Sequence, residues 1–349
     1  MRVAIDVSPL AQTRAGTARY LKGLMHVLEL RDDVAVSTRS FGGATRLSTL
    51  ARDGVWYPFL IGREKTADVL HCPTYRGPLR SRVPLVVTVH DLAVLRHPET
   101  FNRWTRTYSP RVVPSVLRAA RRVIAVSQFT RRELVELLGV PDEKIRVVPN
   151  AVGDEFTRDG PAENGDYVLA VGTLEPRKNL ERLVEAVGRT DWELRVVGAR
   201  GWGRVDISGN GVRWLGEVDD AELARLYRGA ACVAYPSLYE GFGIPVLEAM
   251  ACGAPVVASN RAALPELVAD AGLVFDAERE GELAAALARV LADAGLADDL
   301  RHRGLARAAL YTPARTSGRV LALLGDVSAA RARLGAWRAG ARSRLGEPR

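Results

Sequence analysis

At 349 residues with 47% hydrophobic side chains, the chain has enough length and apolar content for two domains, each with its own core. Its net charge of +8 is uneven: residues 1–155 carry 24 Lys and Arg against 15 Asp and Glu, residues 156–330 carry 19 against 25, and residues 331–349 carry 6 against 1. An acidic segment between basic ones excludes a uniformly nucleic-acid-coating protein and suits a basic half that faces an anionic surface or substrate.

The chain enters a strand at residues 3–7, with no signal-peptide pattern before it. Residues 9–16 read as a loop. A helix starts at Thr17, with Tyr20, Leu21, Leu24 and Leu28 on one face. Ala15-Gly16-Thr17 is therefore a strand–loop–helix junction, short of a full Gly-x-Gly-x-x-Gly fingerprint. Residues 69–72 and 85–92 read as parallel strands, and His90 and Asp91 fall at the carboxyl end of the second, where open α/β sheets place ligands. Residues 98–122 interleave Phe101, Trp104, Tyr108 and Val112 with Arg103, Arg106, Arg111, Arg118, Arg121 and Arg122, the pattern of a basic amphipathic surface. Residues 123–126 form a strand capped into a helix by Ser127. Residues 144–152 close the first half, and a linker follows over residues 153–166.

The second half opens with a buried strand, Tyr167-Val-Leu-Ala-Val, that runs into Gly172-Thr173-Leu-Glu-Pro-Arg177-Lys178-Asn179 and a helix. Two cations at a helix entrance suit a diphosphate. Strands at residues 192–198 and 212–216 follow, the latter leading through Val218 and Asp220 into a helix. Then comes the most informative stretch, Tyr235-Pro-Ser-Leu-Tyr-Glu240-Gly241-Phe242-Gly243-Ile244-Pro-Val-Leu-Glu248-Ala-Met-Ala-Cys-Gly253. The two early glycines free the backbone for close approach to a ligand, Pro245 fits a first helical turn, and Gly253 ends the helix. A loop rich in N–H groups thus feeds a helix N-terminus, which attracts anions. Glu240 stands before that helix and Glu248 about two turns inside it. A strand at residues 256–259, a short helix near Leu264, helices over 281–294 and 300–310 and a final helix from Thr312 complete the chain. Cys72, Cys232 and Cys252 have neither metal nor disulfide spacing and read as small apolar residues of a cytosolic protein. No apolar run is long enough to span a bilayer.

The stretch from Glu240 to Val257 resembles the signature of family-4 retaining glycosyltransferases of the GT-B type, and the resemblance runs from about residue 3 to about residue 312. It implies an α/β protein of two doubly wound Rossmann-like domains facing across a cleft. Residues 1–152 would form the acceptor-side domain and 153–312 the nucleotide-sugar domain. Residues 313–349 would cross back as a helix and end in a basic tail. The implied donor site joins Gly16, Gly172, Thr173, Arg177, Lys178, Val218, Asp220, Glu240, Gly241, Phe242, Gly243, Ile244 and Glu248. Gly16 would lie under the phosphates, Arg177 and Lys178 on the diphosphate and Glu248 on ribose hydroxyls. Glu240 and the amides from Phe242 onward would meet the sugar. His90, Glu240, Lys178 and Arg177 are the candidate catalytic residues, His90 as a contact of the sugar or the acceptor. Many relatives place Arg directly after the glycine of the second-domain loop; Thr173 stands there in this chain.

Transfer would release a diphosphate whose charge cations and N–H groups can stabilise. The sequence has no Asp-x-Asp, so turnover without metal is expected. No cofactor is implied beyond the donor, with GDP-mannose ahead of UDP-sugars. The expected partners are a nucleotide sugar, a glycan or lipid-linked acceptor of surface polysaccharide assembly, and an anionic membrane met peripherally at the inner face of the plasma membrane. Nucleic acid is not among them. Two other functions remain open on the same fold: a catalytically silent nucleotide-sugar-binding scaffold, and a nucleotide-sugar hydrolase or epimerase.

Overall fold

Central strands of this chain are continuous apolar runs, as strands covered on both faces must be. In the computed structural model, which describes residues 1–12, 16–43, 45–163, 165–201 and 203–344 (the side chains of 332 and 334–344 excepted), they build two six-stranded parallel sheets. The first holds β1 (Arg2–Asp6), β2 (Ala35–Arg39), β3 (Val69–Cys72), β4 (Leu85–Val89), β5 (Arg122–Ala125) and β6 (Ile145–Val147) in the order β2-β1-β3-β4-β5-β6. The second holds β7 (Tyr167–Val171), β8 (Glu193–Val197), β9 (Val212–Gly216), β10 (Cys232–Tyr235), β11 (Val256–Ser259) and β12 (Leu273–Phe275) in the order β12-β11-β10-β7-β8-β9.

Two of these strands are absent from the sequence reading. β2 is a half-exposed edge strand, Ala-Val-Ser-Thr-Arg, with no apolar run to mark it. β12 is only three residues long. Both are held by pairing to a buried neighbour, β1 and β11 respectively.

The helices follow the strands. In the first domain they are α1 (Gly16–Glu29), α2 (Arg46–Ala51), α3 (Ala93–Arg96), α4 (Arg103–Ala119) and α5 (Gln128–Leu138). A wide-turned helix, Arg52–Leu60, continues α2. α1 buries Tyr20, Leu21, Leu24 and Leu28, the face its periodicity marks. α4 runs unbroken through Pro110 and Pro114, capped by Asn102 accepting from the Thr105 N–H at 2.9 Å. Ser127 caps α5 by accepting from the Thr130 N–H at 3.0 Å.

In the second domain the helices are α6 (Leu180–Val187), α7 (Asp220–Gly229), α8 (Ile244–Ala251), α9 (Leu264–Val268), α10 (Glu282–Ala292) and α11 (Ala294–Ala308). The last helix, α12 (Pro313–Arg344), returns to the first sheet. Its Val320 and Leu324 join the cluster of Val3, Ile5, Leu21 and Leu24, and Thr316 Oγ1 donates to the Pro149 carbonyl at 2.9 Å. Of the basic tail, Arg331 donates to the Ala67 carbonyl at 3.3 Å, while the side chains of Arg338, Arg342 and Arg344 lie outside the described residues.

The strand orders locate the ligand crevices. The strand order of each parallel sheet reverses once, between β1 and β3 in the first and between β7 and β10 in the second, and ligands of doubly wound sheets bind outside the carboxyl ends at such points. The loops after β7 and β10 carry Gly172, Arg177, Lys178 and Glu240, and the connection after β1 leads to Gly16.

Candidate functional site

The second-sheet switch point brings the loop after β7 against the loop after β10. Gly172 takes φ +156°, and a Cβ there would lie 3.3 Å from Lys178 Cε, so the lysine stem runs along the bare glycine. Lys178 and Arg177 sit in a short turn, Pro176–Lys178, that ends on Asn179 in the left-handed region. Lys178 Nζ donates to Glu240 Oε1 and, at 2.9 Å, to Tyr235 OH. The same Glu240 oxygen accepts from Ser237 Oγ at 2.8 Å and Tyr235 OH at 3.1 Å, with Arg177 Nη1 at 3.4 Å. Arg177 also donates to Glu175 at 2.7 Å and to the Tyr239 carbonyl at 3.1 Å.

Electrostatics follow from this packing. Burial pushes Glu240 towards the neutral form, but Lys178 and Arg177 beside it win and hold its pKa at about 2. Burial depresses Lys178, and Glu240 only partly opposes that. Burial also works against charge on Arg177, yet Glu240 and Glu175 raise its pKa. The cluster therefore sets two cations against two carboxylates.

The loop then turns into α8. Gly241 has no room for a side chain: a Cβ would lie 1.7 Å from the His90 carbonyl oxygen of the other domain. Its own carbonyl accepts from Ser127 Oγ at 2.6 Å and Thr130 Oγ1 at 3.2 Å. Gly243 caps α8 at φ +104°, with a Cβ position 2.9 Å from Leu264 Cδ2. The Val246 N–H returns to the Gly243 carbonyl, while the Phe242 and Gly243 N–H groups have no partner among the described residues. Around this loop the domains are stitched further. Tyr239 OH donates to Glu133 and accepts from the Leu92 N–H, and Glu266 accepts from the Gln128 and Phe129 N–H groups at the start of α5.

The first domain presents His90 just past β4. Its Nε2 lies 3.0 Å from the Pro73 carbonyl, an oxygen that can only accept, so the proton sits on Nε2 and Nδ1 is left as an acceptor. Burial lowers its pKa, with Asp91 opposing. Tyr20 packs edge-on against the ring at 5.1 Å. A cavity of about 350 Å³ joins the domains here, lined by His90 and Asp91 on one side and Arg177 and Glu175 on the other.

Glu248 belongs to a separate cluster. Its side chain is 1% exposed; Oε1 accepts from Arg19 Nη1, and Oε2 accepts from Tyr227 OH at 3.1 Å. The other terminal nitrogen of Arg19 donates to Asp220 at 2.6 Å. Burial raises the Glu248 pKa, and Arg19 opposes it. Gly16 lies against the start of α8, a Cβ there being 3.0 Å from Ile244 Cδ1. Val218 is partly buried against the second core, and Thr173 packs on Gly201. Ala15, beside Gly16, lies outside the described residues.

His90 and Arg177 thus share one cavity, with Lys178 and Glu240 bonded behind Arg177, while Glu248 and Asp220 meet separately through Arg19 and Gly16 lies against Ile244. The sequence reading missed Arg19, Glu175, Tyr235 and Ser237 as members. Arg19 had one signal available: a cation in the first turn of a helix opposes the helix dipole and calls for a carboxylate partner.

Comparison with known proteins matches residues 154–307 to the model described as glycosyl transferases group 1, and residues 14–156 to the model described as Glycosyltransferase Family 4. An O-antigen chain mannosyltransferase B of Escherichia coli is 35% identical over 60% of this chain and 61% of its own length. The O-antigen chain mannosyltransferase RfbU of Salmonella typhimurium is 30% identical over 56% of this chain and 57% of its own. The chain thus spans about three fifths of the length of these relatives. Among solved structures, a sucrose-phosphate synthase of Thermosynechococcus elongatus superposes with TM-score 0.74 at 22% identity, over 95% of this chain and all of the other. HepE of Anabaena in complex with UDP and glucose does so with TM-score 0.74 at 21% identity, over 93% and 100%. With two models in succession from residue 14 to residue 307 and two doubly wound sheets of this arrangement, the chain belongs to the family-4, group 1 glycosyltransferases of the GT-B fold.

Proposed function

We propose that the protein transfers a hexose from a nucleotide diphosphate sugar to a glycan or lipid-linked acceptor in surface polysaccharide assembly. The observation that carries this reading is the cluster at the β7–β10 switch point. There Arg177, Lys178 and the unpaired N–H groups before α8 supply an anion site, Glu240 supplies an acceptor for sugar hydroxyls, and His90 shares a cavity with Arg177. Arg177 and Lys178 hold the diphosphate. Glu248 takes the ribose hydroxyls, since a carboxylate accepts a pair of them. Glu240 and His90 hold the sugar from its two sides.

In the transfer step the bond from the anomeric carbon to the phosphate oxygen breaks. The bond to the acceptor oxygen forms on the same face, and the acceptor proton passes to the departing diphosphate. Configuration is retained. The developing charge falls on Arg177, Lys178 and the α8 amides, in a dry site where fixed dipoles act strongly. No step calls on a metal.

Two relatives named as O-antigen mannosyltransferases support mannose, and hence GDP-mannose ahead of UDP-sugars. HepE, a neighbour in fold, is described with UDP-glucose, so UDP-glucose belongs in any trial. The acceptor side supports a membrane partner. Trp104 and Tyr108 of α4 are tied to Asp53 at 3.1 and 2.8 Å, which joins α4 to the Arg52–Leu60 helix as one face. α4 exposes Arg103, Arg106 and Arg111, the Arg52–Leu60 helix exposes Phe59 (59%), and α2, which precedes it, exposes Leu47 (78%). Among the described residues no helix is long and apolar enough to cross a membrane, and peripheral docking on an anionic cytoplasmic leaflet suits the face.

A panel of nucleotide sugars tested for thermal stabilisation identifies the donor, because a ligand that binds only the native state raises its melting temperature. Product analysis with and without an oligosaccharide or lipid-linked acceptor tests the chemistry. Acceptor-dependent glycoside formation is the expected result. Free sugar released equally in both would make the protein a hydrolase, and binding without turnover would make it a scaffold.

A further inference from the structure

Arg19 is a first-domain residue whose side-chain hydrogen bonds among the described residues all go to the donor half. One terminal nitrogen rests on Glu248 and the other on Asp220, and the guanidinium lies 5.2 Å over the ring of Phe156. On the reading that Glu248 takes the ribose, a claim this inference rests on, the arginine sits where the ribose hydroxyls must go. Glu248 is buried, and Tyr227 already occupies its second oxygen. With the carboxylate buried and Arg19 lying over its first oxygen, the hydroxyls gain room there when Arg19 gives it up.

Charge balance points to where Arg19 then goes. Arg177 and Lys178 are already matched by Glu175 and Glu240. A diphosphate placed beside them brings at least two negative charges that this neutral set does not cancel. The cation that the donor itself displaces is free to help do so.

The reach is short. Gly16 abuts Ile244, so the first turn of α1 lies against the start of α8. Glu248 and Ile244 are four residues apart on that helix, or about 6 Å along its axis. A guanidinium on a flexible stem covers that distance by a change of rotamer, and its planar fork suits phosphate oxygens as well as carboxylates.

We infer that Arg19 is a displaceable ligand of the donor site: it holds Glu248 and Asp220 together while no donor is bound, and moves to the diphosphate when the ribose takes Glu248. It thereby keeps a buried carboxylate paired in the empty site and supplies a third cation in the filled one. Its role towards the donor changes sign along the molecule, competing with the nucleoside and attracting the diphosphate.

The test compares uridine, guanosine, adenosine and cytidine, each alone and as its 5′-diphosphate, for binding to the wild type and to Arg19→Ala by ligand-observed NMR and calorimetry. The nucleoside that binds is expected to bind Arg19→Ala more tightly than the wild type. The gain from adding the diphosphate is expected to shrink about 10- to 100-fold, the worth of a charge-assisted contact. Arg19→Lys, which keeps the charge and loses the fork, is expected to fall between. Equal weakening of nucleoside and diphosphate would reduce Arg19 to a brace between domains and overturn the inference. Glu248→Ala separates this from the underlying reading. If that variant binds the nucleoside as the wild type does, or if the wild type binds none of the eight compounds, the donor-site assignment itself falls. If Arg19→Ala fails to fold, as circular dichroism would report, Arg19→Gln must show the same crossover.

Discussion

Lys178 Nζ and Glu240 Oε1 form an ion pair that leaves the other Glu240 oxygen, Oε2, without a partner among the described residues. The lysine, Ser237, Tyr235 and Arg177 all converge on Oε1. Glu240 is thus fixed and charged by one oxygen and offers the other. That geometry makes the lysine the residue that orients the carboxylate, and the proposed mechanism adds a second duty, receiving phosphate charge.

Lys178→Ala is therefore expected to lower kcat more than Glu248→Ala does, because the charge it meets grows in the transition state. Glu248→Ala is expected to act on the donor, raising its dissociation constant by about 10- to 100-fold for the loss of charged hydrogen bonds. Steady-state kinetics with calorimetric donor binding read both. Wild-type kcat in the lysine variant would remove it from the chemistry.

Excess chelator is expected to leave the initial rate unchanged, since in the proposed mechanism Arg177, Lys178 and the α8 amides stabilise the leaving diphosphate. An activity lost on chelation and restored by magnesium would count against this.

His71 gives the fold a pH dependence of its own. It is fully buried on β3, with Nε2 3.0 Å from Thr88 Oγ1. Burial, with a smaller push from His90, lowers its pKa to about 3. The folded value lies below the unfolded one near 6.5, so below that pH the unfolded chain takes up a proton that the native state refuses. Stability should fall as pH drops from about 6.5 towards 3, by at most about 1.4 kcal/mol per pH unit from this residue. Urea unfolding at a series of pH values should show a shallower slope over that window in His71→Asn. An identical slope would assign the acid sensitivity elsewhere.

Cosedimentation with liposomes checks the basic face. Anionic vesicles should retain the protein at low salt and release it as salt rises, each basic residue being worth about 1 kcal/mol near such a surface. Changing Arg103, Arg106 and Arg111 to Glu should abolish the preference. Equal binding to neutral vesicles would dismiss docking through charge.

The sequence was most legible where a ligand loop and its helix are contiguous. Glu240, the two glycines and Glu248 lie within nine residues, so their local order implies their chemistry. The pairing of Arg177 and Lys178 with Glu240 spans about sixty residues, and it became visible only through the strand order that sets β7 beside β10. Arg19 carried only a weak local signal, its place in the first turn of α1, because its partners Asp220 and Glu248 lie in the other domain. The edge strands β2 and β12 escaped because half-exposed or very short strands lack the periodic apolar signal.

The seam between the domains is fastened unevenly. At one end Gly241 has its backbone against His90 and its carbonyl under Ser127 and Thr130, and Glu266 holds the start of α5. At the other end stands Arg19, a solvent-touched ion pair. A shell fixed along one edge gives way first at the other. On the proposed donor site the firm edge lies beside Glu240 and the sugar, and the looser edge lies at the nucleoside end, where a large, flat ligand would enter.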